Sequence, residues 1–301
     1  MRGNDLLKTS GKRSIHGAGA MFGRIIVACA ASLLVSATST AEPRLLVAQE
    51  DPNQISAFSL DFGVELGGVA SSRIARTDYE LEVDAEMGTA RFVRYDQQVD
   101  PLILPGGFST GNITIQVVEG SSTGTYDRRA GVFVTSELYA VHFDGDLSAF
   151  GLESPVLLPS TSTGFVLLNA QTGGIIGMEW VGEGELANPF DPNSTIQFAY
   201  TCEVNTQFAA DPDLLVPLMM IPNVLNLELP RRLENNLLTL LQRTTTKLDR
   251  DNIFGAAGTL RAFVRKVGKS RQIADEEANM LISDAQEIIA MLKPTRNEEP
   301  R

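Results

Sequence analysis

Between residues 57 and 210 apolar and polar side chains alternate in short runs, the period of strands that bury one face. Ser59–Leu66, Tyr79–Ala85, Ala90–Tyr95, Asn112–Val118, Val132–Glu137, Leu138–Phe143, Gly164–Asn169, Ile175–Val181 and Ile196–Thr206 all carry this pattern. In Asn112–Val118, for example, Ile113, Ile115 and Val117 share one side and polar residues the other. Clusters of Gly, Ser and Thr at 105–111, 120–124 and 159–164 separate the runs. Many short strands divided by turns predict an all-β sandwich domain over 57–210.

Beyond residue 230 the period changes to that of helices. Leu233, Leu237, Leu241, Thr244 and Leu248 make one stripe, with Pro230 near its start. Ile253, Ala256, Ala257, Leu260, Phe263, Val264 and Val267 make a second, capped by Asp251 or Asn252 and closed by Gly268. Ala278, Leu281, Ile282, Ala285, Ile288, Ile289 and Leu292 make a third, with Asp275, Glu276 and Glu277 suited to the positive end of the helix dipole. These stripes predict a small all-α three-helix domain over 230–293. Residues 42–56 and 211–229 are left as linkers and 294–301 as a tail.

Charge divides the chain in the same places. Residues 42–222 hold seven Arg, no Lys and 25 acids, a net of −18, whereas 223–301 hold 13 basic and 11 acidic groups, a net of +2. So acidic a segment repels phosphate backbones, which argues against nucleic acid and suits basic partners or divalent cations. Ahead of it, Arg24 precedes an apolar run, Ile25–Val35, and Ser39 and Ala41 stand at the −3 and −1 positions of a cut before Glu42. That order is a secretory signal over 1–41, with Met21 an alternative start, and its run is too short to span a membrane. Ile26-Val27-Ala28-Cys29 also resembles a lipidation box, but the apolar run continues past Cys29. The mature chain is therefore expected outside the cytoplasm, secreted or periplasmic or at the cell surface, without a membrane span.

Cleavage leaves Cys202 as the lone thiol and His142 as the lone imidazole, which excludes an internal disulfide and a Cys/His zinc site. Cys202 shares the apolar face of Ile196–Val204, the place of a buried structural thiol.

Two segments carry a family resemblance. Leu248–Ile253, Ala256–Val264 and Ala278–Ile289 together resemble the FIMAH helical module found near the C-terminus of many secreted bacterial proteins, which implies an accessory or interaction role. Ser122–Asp127, Leu138–Phe143, Asp146–Leu152 and Ser154–Ser160 resemble the β-rich ectodomains of secreted proteins in planctomycete-like bacteria that carry a PEP-CTERM sorting tail. The chain departs from those proteins at 294–301, where the Pro-Glu-Pro tripeptide, apolar segment and basic terminus are missing.

Catalytic chemistry is thinly represented. Gly107-Phe108-Ser109-Thr110-Gly111 fits the G-x-S-x-G nucleophile pattern, and Asp127 and His142 follow in hydrolase order. That motif requires a strand-to-helix turn, and here a strand-like run follows. Gly120-Ser121-Ser122-Thr123-Gly124 matches the same pattern, so a Gly/Ser/Thr-rich loop produces it cheaply. Acidic loops offer calcium instead: Asp144-Gly145-Asp146 places oxygen ligands as hard cations require, and Asp144 and Asp146 are the candidate metal ligands. No catalytic or cofactor-binding residue is assigned. The expected function is a non-catalytic extracellular or envelope module that binds a surface glycan or protein, the alternatives being a secreted hydrolase and a structural matrix component.

Overall fold

The computed structural model describes residues 43–63, 68–191 and 193–293. The export segment, the tail and the last residues of the Ser59–Leu66 run lie outside the described residues. An all-β domain, sandwich-like in the way its sheet faces itself across one core, is followed by an all-α region.

The strands are β1 (Arg44–Glu50), β2 (Ala57–Asp61), β3 (Val69–Asp84), β4 (Thr89–Val99), β5 (Ile103–Leu104), β6 (Phe108–Ser109), β7 (Ile113–Val117), β8 (Thr123–Asp127), β9 (Val132–Phe143), β10 (Val156–Asn169), β11 (Gly173–Ala187) and β12 (Thr195–Phe208). Ten form one antiparallel sheet in the order β1-β3-β2-β12-β11-β10-β9-β7-β4-β8, and β5 and β6 pair separately. β3 also pairs with β4 over most of its length, from Ile74↔Val99 to Asp84↔Thr89, so the sheet closes on itself. β1 and β2 follow one another between β3 and β12, and β7 and β8 do the same between β4 and β9. Closure removes most of the free edge that an open sheet presents to other chains.

Inward positions obey the period of two. On β12 every even residue from Ile196 to Phe208 is buried, Cys202 among them. The enclosed space is filled by aromatic rings: Tyr139 stands 4.8 Å from Trp180 and 5.1 Å from Tyr95, centroid to centroid, and Phe58 stands 5.6 Å from Trp180. Several of their polar tips find partners inside: the Trp180 indole donates to the Tyr95 hydroxyl at 3.2 Å, and the Tyr79 and Thr206 hydroxyls share a hydrogen at 2.6 Å, whereas the buried Tyr139 hydroxyl has no hydrogen-bond partner. Cys202 packs against the Gln97 amide, and burial pushes its thiol pKa far up, so it is the structural thiol expected.

Rings of this size fit because glycines face them. Gly174, Gly182 and Gly184 on β11 sit directly across from Phe208, Tyr200 and Phe198 on β12, and Gly164 sits across from Phe133; Gly177 makes room in the same way for Phe165 on the outer, exposed face. A Cβ on any of the five would lie within 3.0 Å of its ring. Each ring therefore lies flat over the bare backbone of its neighbour, a cross-strand pair that needs both members.

The helical region begins earlier than its periodicity suggests. Residues 212–225 are continuous helix: α1 (Pro212–Leu215), a π-helical turn (Val216–Met220) and α2 (Ile221–Leu225). This stretch was expected as linker because it is apolar on all sides and so shows no helical period. Leu214 and Leu218 belong to the β-domain core, whereas Leu215, Val216, Met219 and Met220 belong to the helical core. A helix wedged between two cores is apolar all round for that reason. β1 corrects the other linker, 42–56; only Leu46 and Ala48 of this strand are buried, too few for an alternation to show. β8 was missed likewise, with Tyr126 its single large apolar residue.

α3 (Arg231–Leu248), α4 (Ile253–Gly268) and α5 (Asp275–Met291) follow, matching the three stripes. The Asn252 side chain caps α4 by accepting from the Gly255 N–H at 2.9 Å. Ile253, placed in the second stripe, is exposed at the first turn, and Gly268 ends α4 without the left-handed conformation expected of a closing glycine. The helices cover the barrel end where β12 finishes: the Asn226 amide donates to the Arg129 carbonyl in the β8–β9 turn, and Arg44 of β1 pairs with Asp249. No described helix is long and apolar enough to cross a membrane.

One substitution tests the ring-over-glycine packing. Gly164→Ala forces a Cβ against Phe133 and Met178, and overpacking of this kind costs about 1–3 kcal/mol. The midpoint of urea unfolding should fall with an unchanged slope, and Phe133→Leu in the same chain should restore part of the loss.

Candidate functional site

Among the described residues, the far end of the barrel, away from the helices, is covered by loops alone. Residues 100–112 carry β5 and β6 joined by a 3-10 turn, residues 144–155 carry a second 3-10 turn at Ser148–Phe150, and residues 188–194 link β11 to β12. These loops hold apolar residues where turn chemistry is expected: Leu102, Leu104, Leu147 and Phe150 are all buried. Phe108 and Phe150 meet edge to face at 5.1 Å. The loops lock together by backbone alone at Gly145, whose N–H donates to the Thr110 carbonyl at 2.7 Å. A Cβ on Gly145 would collide with the Ser109 carbonyl, so this close approach requires glycine.

Between the loops and the strand ends lies a cleft of about 60 Å³. Phe58, Leu60, Val141, Leu158, Leu186 and Phe198 of the strands line it, together with Phe62, Leu147 and Leu152 of the loops and the partly exposed Val156 at the start of β10. Thr110 is the one polar lining residue, and its hydroxyl is engaged: it accepts from the Leu102 N–H at 2.9 Å and donates to the Gly111 carbonyl at 2.8 Å. Apolar hollows at barrel mouths are favoured places for ligands.

A wider furrow of about 620 Å³ runs beside β4. It has a simple origin. The β3–β4 register slips at Glu80/Leu81, leaving Val93 and Arg94 both exposed, and on its side away from β3 strand β4 is partnered only by β7 below and by β8 at Thr89 above. The furrow is floored by backbone and lined by Arg91 and Glu82, which satisfy each other at 2.7 Å and 3.1 Å. Ser122 caps the Phe92 N–H that the gap exposes, at 2.9 Å. The furrow follows from a β-bulge.

Within the barrel, Glu137 is the one buried acid of the polar stripe Thr135, Glu137, Ser160 and Ser162. Ser162 donates to its Oε1, the Thr135 and Tyr139 hydroxyls flank the carboxyl, and Oε2 has no hydrogen-bond partner. Burial raises its pKa above the usual carboxylate range, and the Ser162 hydrogen bond offsets this only in part.

The residues singled out in the sequence distribute as follows. Asp144 and Asp146 are exposed on the mouth loop, where Asp144 accepts from the Asn112 amide at 3.3 Å and Asp146 accepts from both the hydroxyl and the N–H of Ser148, at 2.7 Å and 3.1 Å. The Ser148 hydroxyl, and then its N–H, hold the Asp146 carboxyl below its ordinary pKa. No cluster of three or more His, Cys, Asp or Glu side chains able to hold a metal occurs among the described residues. Ser109 lies on β6 and leads into β7 with no helix between, so it lacks the nucleophile turn. Asp127 pairs with Val132, while His142 lies ten residues further along β9, a separation of about 33 Å that rules out a triad. His142 is exposed on the outer face opposite Thr114. The sequence reading missed the cleft itself; its one signal was the apolar side chains at 102–108 and 147–152, set in otherwise turn-like segments.

Compared with known proteins, the chain matches no family model and resembles no curated protein.

Glu137 gives a pH test with a definite sign. A carboxyl whose folded pKa is raised disfavours the folded state when ionised, a cost that is full above the folded pKa, shrinks as pH falls below it and is gone below the ordinary carboxylate pKa of the unfolded chain. Glu137→Gln should therefore gain stability relative to the native chain as pH rises from about 4 to about 8, read from paired melts.

Proposed function

We propose that this chain is an exported, non-catalytic binding module that acts outside the cytoplasm. The β-domain is the ligand-binding part and the helical region the accessory part, in keeping with the resemblance of 248–289 to the FIMAH module. The observation that carries this reading is the division of labour between the two barrel ends. Helices pack one end and share its core, whereas among the described residues loops alone cover the other and leave an apolar cleft open. The secretory pattern at 21–41 supports export. Dispersal of Ser109, Asp127 and His142 removes the support for an ester-hydrolase reading. Closure of the sheet likewise leaves few strand edges through which a matrix component would self-associate.

The test is retention. Purified protein mixed with a bacterial cell-envelope fraction should co-sediment saturably, and Val156→Trp, which fills the cleft mouth, should weaken retention about tenfold while leaving the melt in place. Non-saturable or absent retention sinks the reading. Calcium at Asp144 and Asp146 belongs to the same proposal as an addition to the rim. A cation at about 100 times its Kd stabilises by about 2.7 kcal/mol, so a rise in Tm with millimolar calcium that Asp146→Asn removes would add it. An unchanged Tm would take it away.

A further inference from the structure

Resting on the reading of the cleft as the binding site for an envelope component, we infer that this component is a single-chain cationic amphiphile. A short hydrocarbon end occupies the cleft and a positive head group sits on the rim.

The tail follows from the lining. Thr110, the single polar residue of the described lining, has given its hydroxyl proton to Gly111 and accepts from Leu102, so no donor and at most one acceptor lone pair is left for a ligand inside. A hydroxyl or charge brought into the cleft would be stripped of water without a partner. A sugar ring, with hydroxyls around it, is therefore a poor occupant. A volume of about 60 Å³ corresponds to about four to six water-sized groups, the span of a short alkyl end.

The head group follows from the rim. Asp61, Asp100, Asp144, Asp146, Glu153 and Asp191 stand exposed at the mouth end of the barrel. The loops 100–112, 144–155 and 187–195 contain no Lys, Arg or His. The four ion pairs among the described residues involve none of these six acids. Six carboxylates around an apolar opening attract a cation and repel an anion, and the opening's low polarity focuses their field. Cleft and rim together select a molecule that is apolar at one end and positive at the other.

Calorimetric titration of the full protein with n-alkylamines, n-alkanols and n-alkanoates of three to eight carbons tests this directly. Affinity should rise about fourfold per methylene until the cleft is full, at about four to six carbons, and then level off. At equal length amines should bind tightest and alkanoates weakest, with the gap narrowing in about 0.5 M salt. Asp144→Asn with Asp146→Asn should reduce the amine preference and leave the alkanol series alone, which separates head from tail without touching the core. Affinity independent of chain length would overturn the inference, as would alkanoates matching amines, or binding to phosphatidylcholine vesicles in preference to soluble amines. If envelope retention holds while the length dependence fails, the ligand class is wrong and the binding-module reading survives.

Discussion

The pairing of β3 with β4 is the constraint from which the rest of the β-domain follows. Once those strands join, the sheet has an inside and two ends, and the stretch of β4 left open by the gap between β7 and β8 is an edge that remains. The inside must be filled, because empty space forfeits dispersion contacts on every wall. Trp180 and its ring of tyrosines and phenylalanines meet that demand, and the Trp180 indole and the Tyr95 and Tyr79 hydroxyls find partners within the same layer. The ends must be covered, because a barrel's core is otherwise open to water along its axis. One end receives a helix that is apolar on all sides. The other receives loops whose leucines and phenylalanines turn inward, and that cover is incomplete.

Much of the architecture was legible in the sequence wherever a segment meets water on one side and core on the other. The even positions of β12 and the stripes of α3, α4 and α5 have that property, and each was read in the right place. Legibility failed where a segment departs from it. Residues 212–225 touch core on both sides and so have no polar face to set a period. β1 and β8 bury only one or two side chains each, too few to form a pattern. The cleft was illegible for a different reason: its lining comes from most of the strands and three loops that are distant in sequence, and only closure brings them together. Asp144 and Asp146 were noticed as oxygen-rich loop residues, but their meaning changes when the other acids of the rim and the apolar opening between them come into view.

Acidity in this chain therefore has more than one physical role. Glu82 and Glu80 are consumed in cross-strand pairs with Arg91 and Arg94 on the barrel wall. Glu137 is sunk into the core, where its charge is disfavoured. Asp249 anchors β1 to the helical region through Arg44. The mouth acids have no such partner, and they are what gives the open end its sign.

The glycine-and-ring pairs along β10, β11 and β12 have a consequence for how this protein can change over generations. An alanine at Gly182 is blocked by Tyr200, and the loss of Tyr200 alone would leave bare backbone beside a void. Neither single step is neutral, although the two together could restore a filled layer. Lineages descending from this chain should therefore hold residues 182 and 200, 184 and 198, and 174 and 208 either both as they are or both altered. The pair is the unit of inheritance here, and its fingerprint would be correlated variation between two neighbouring strands.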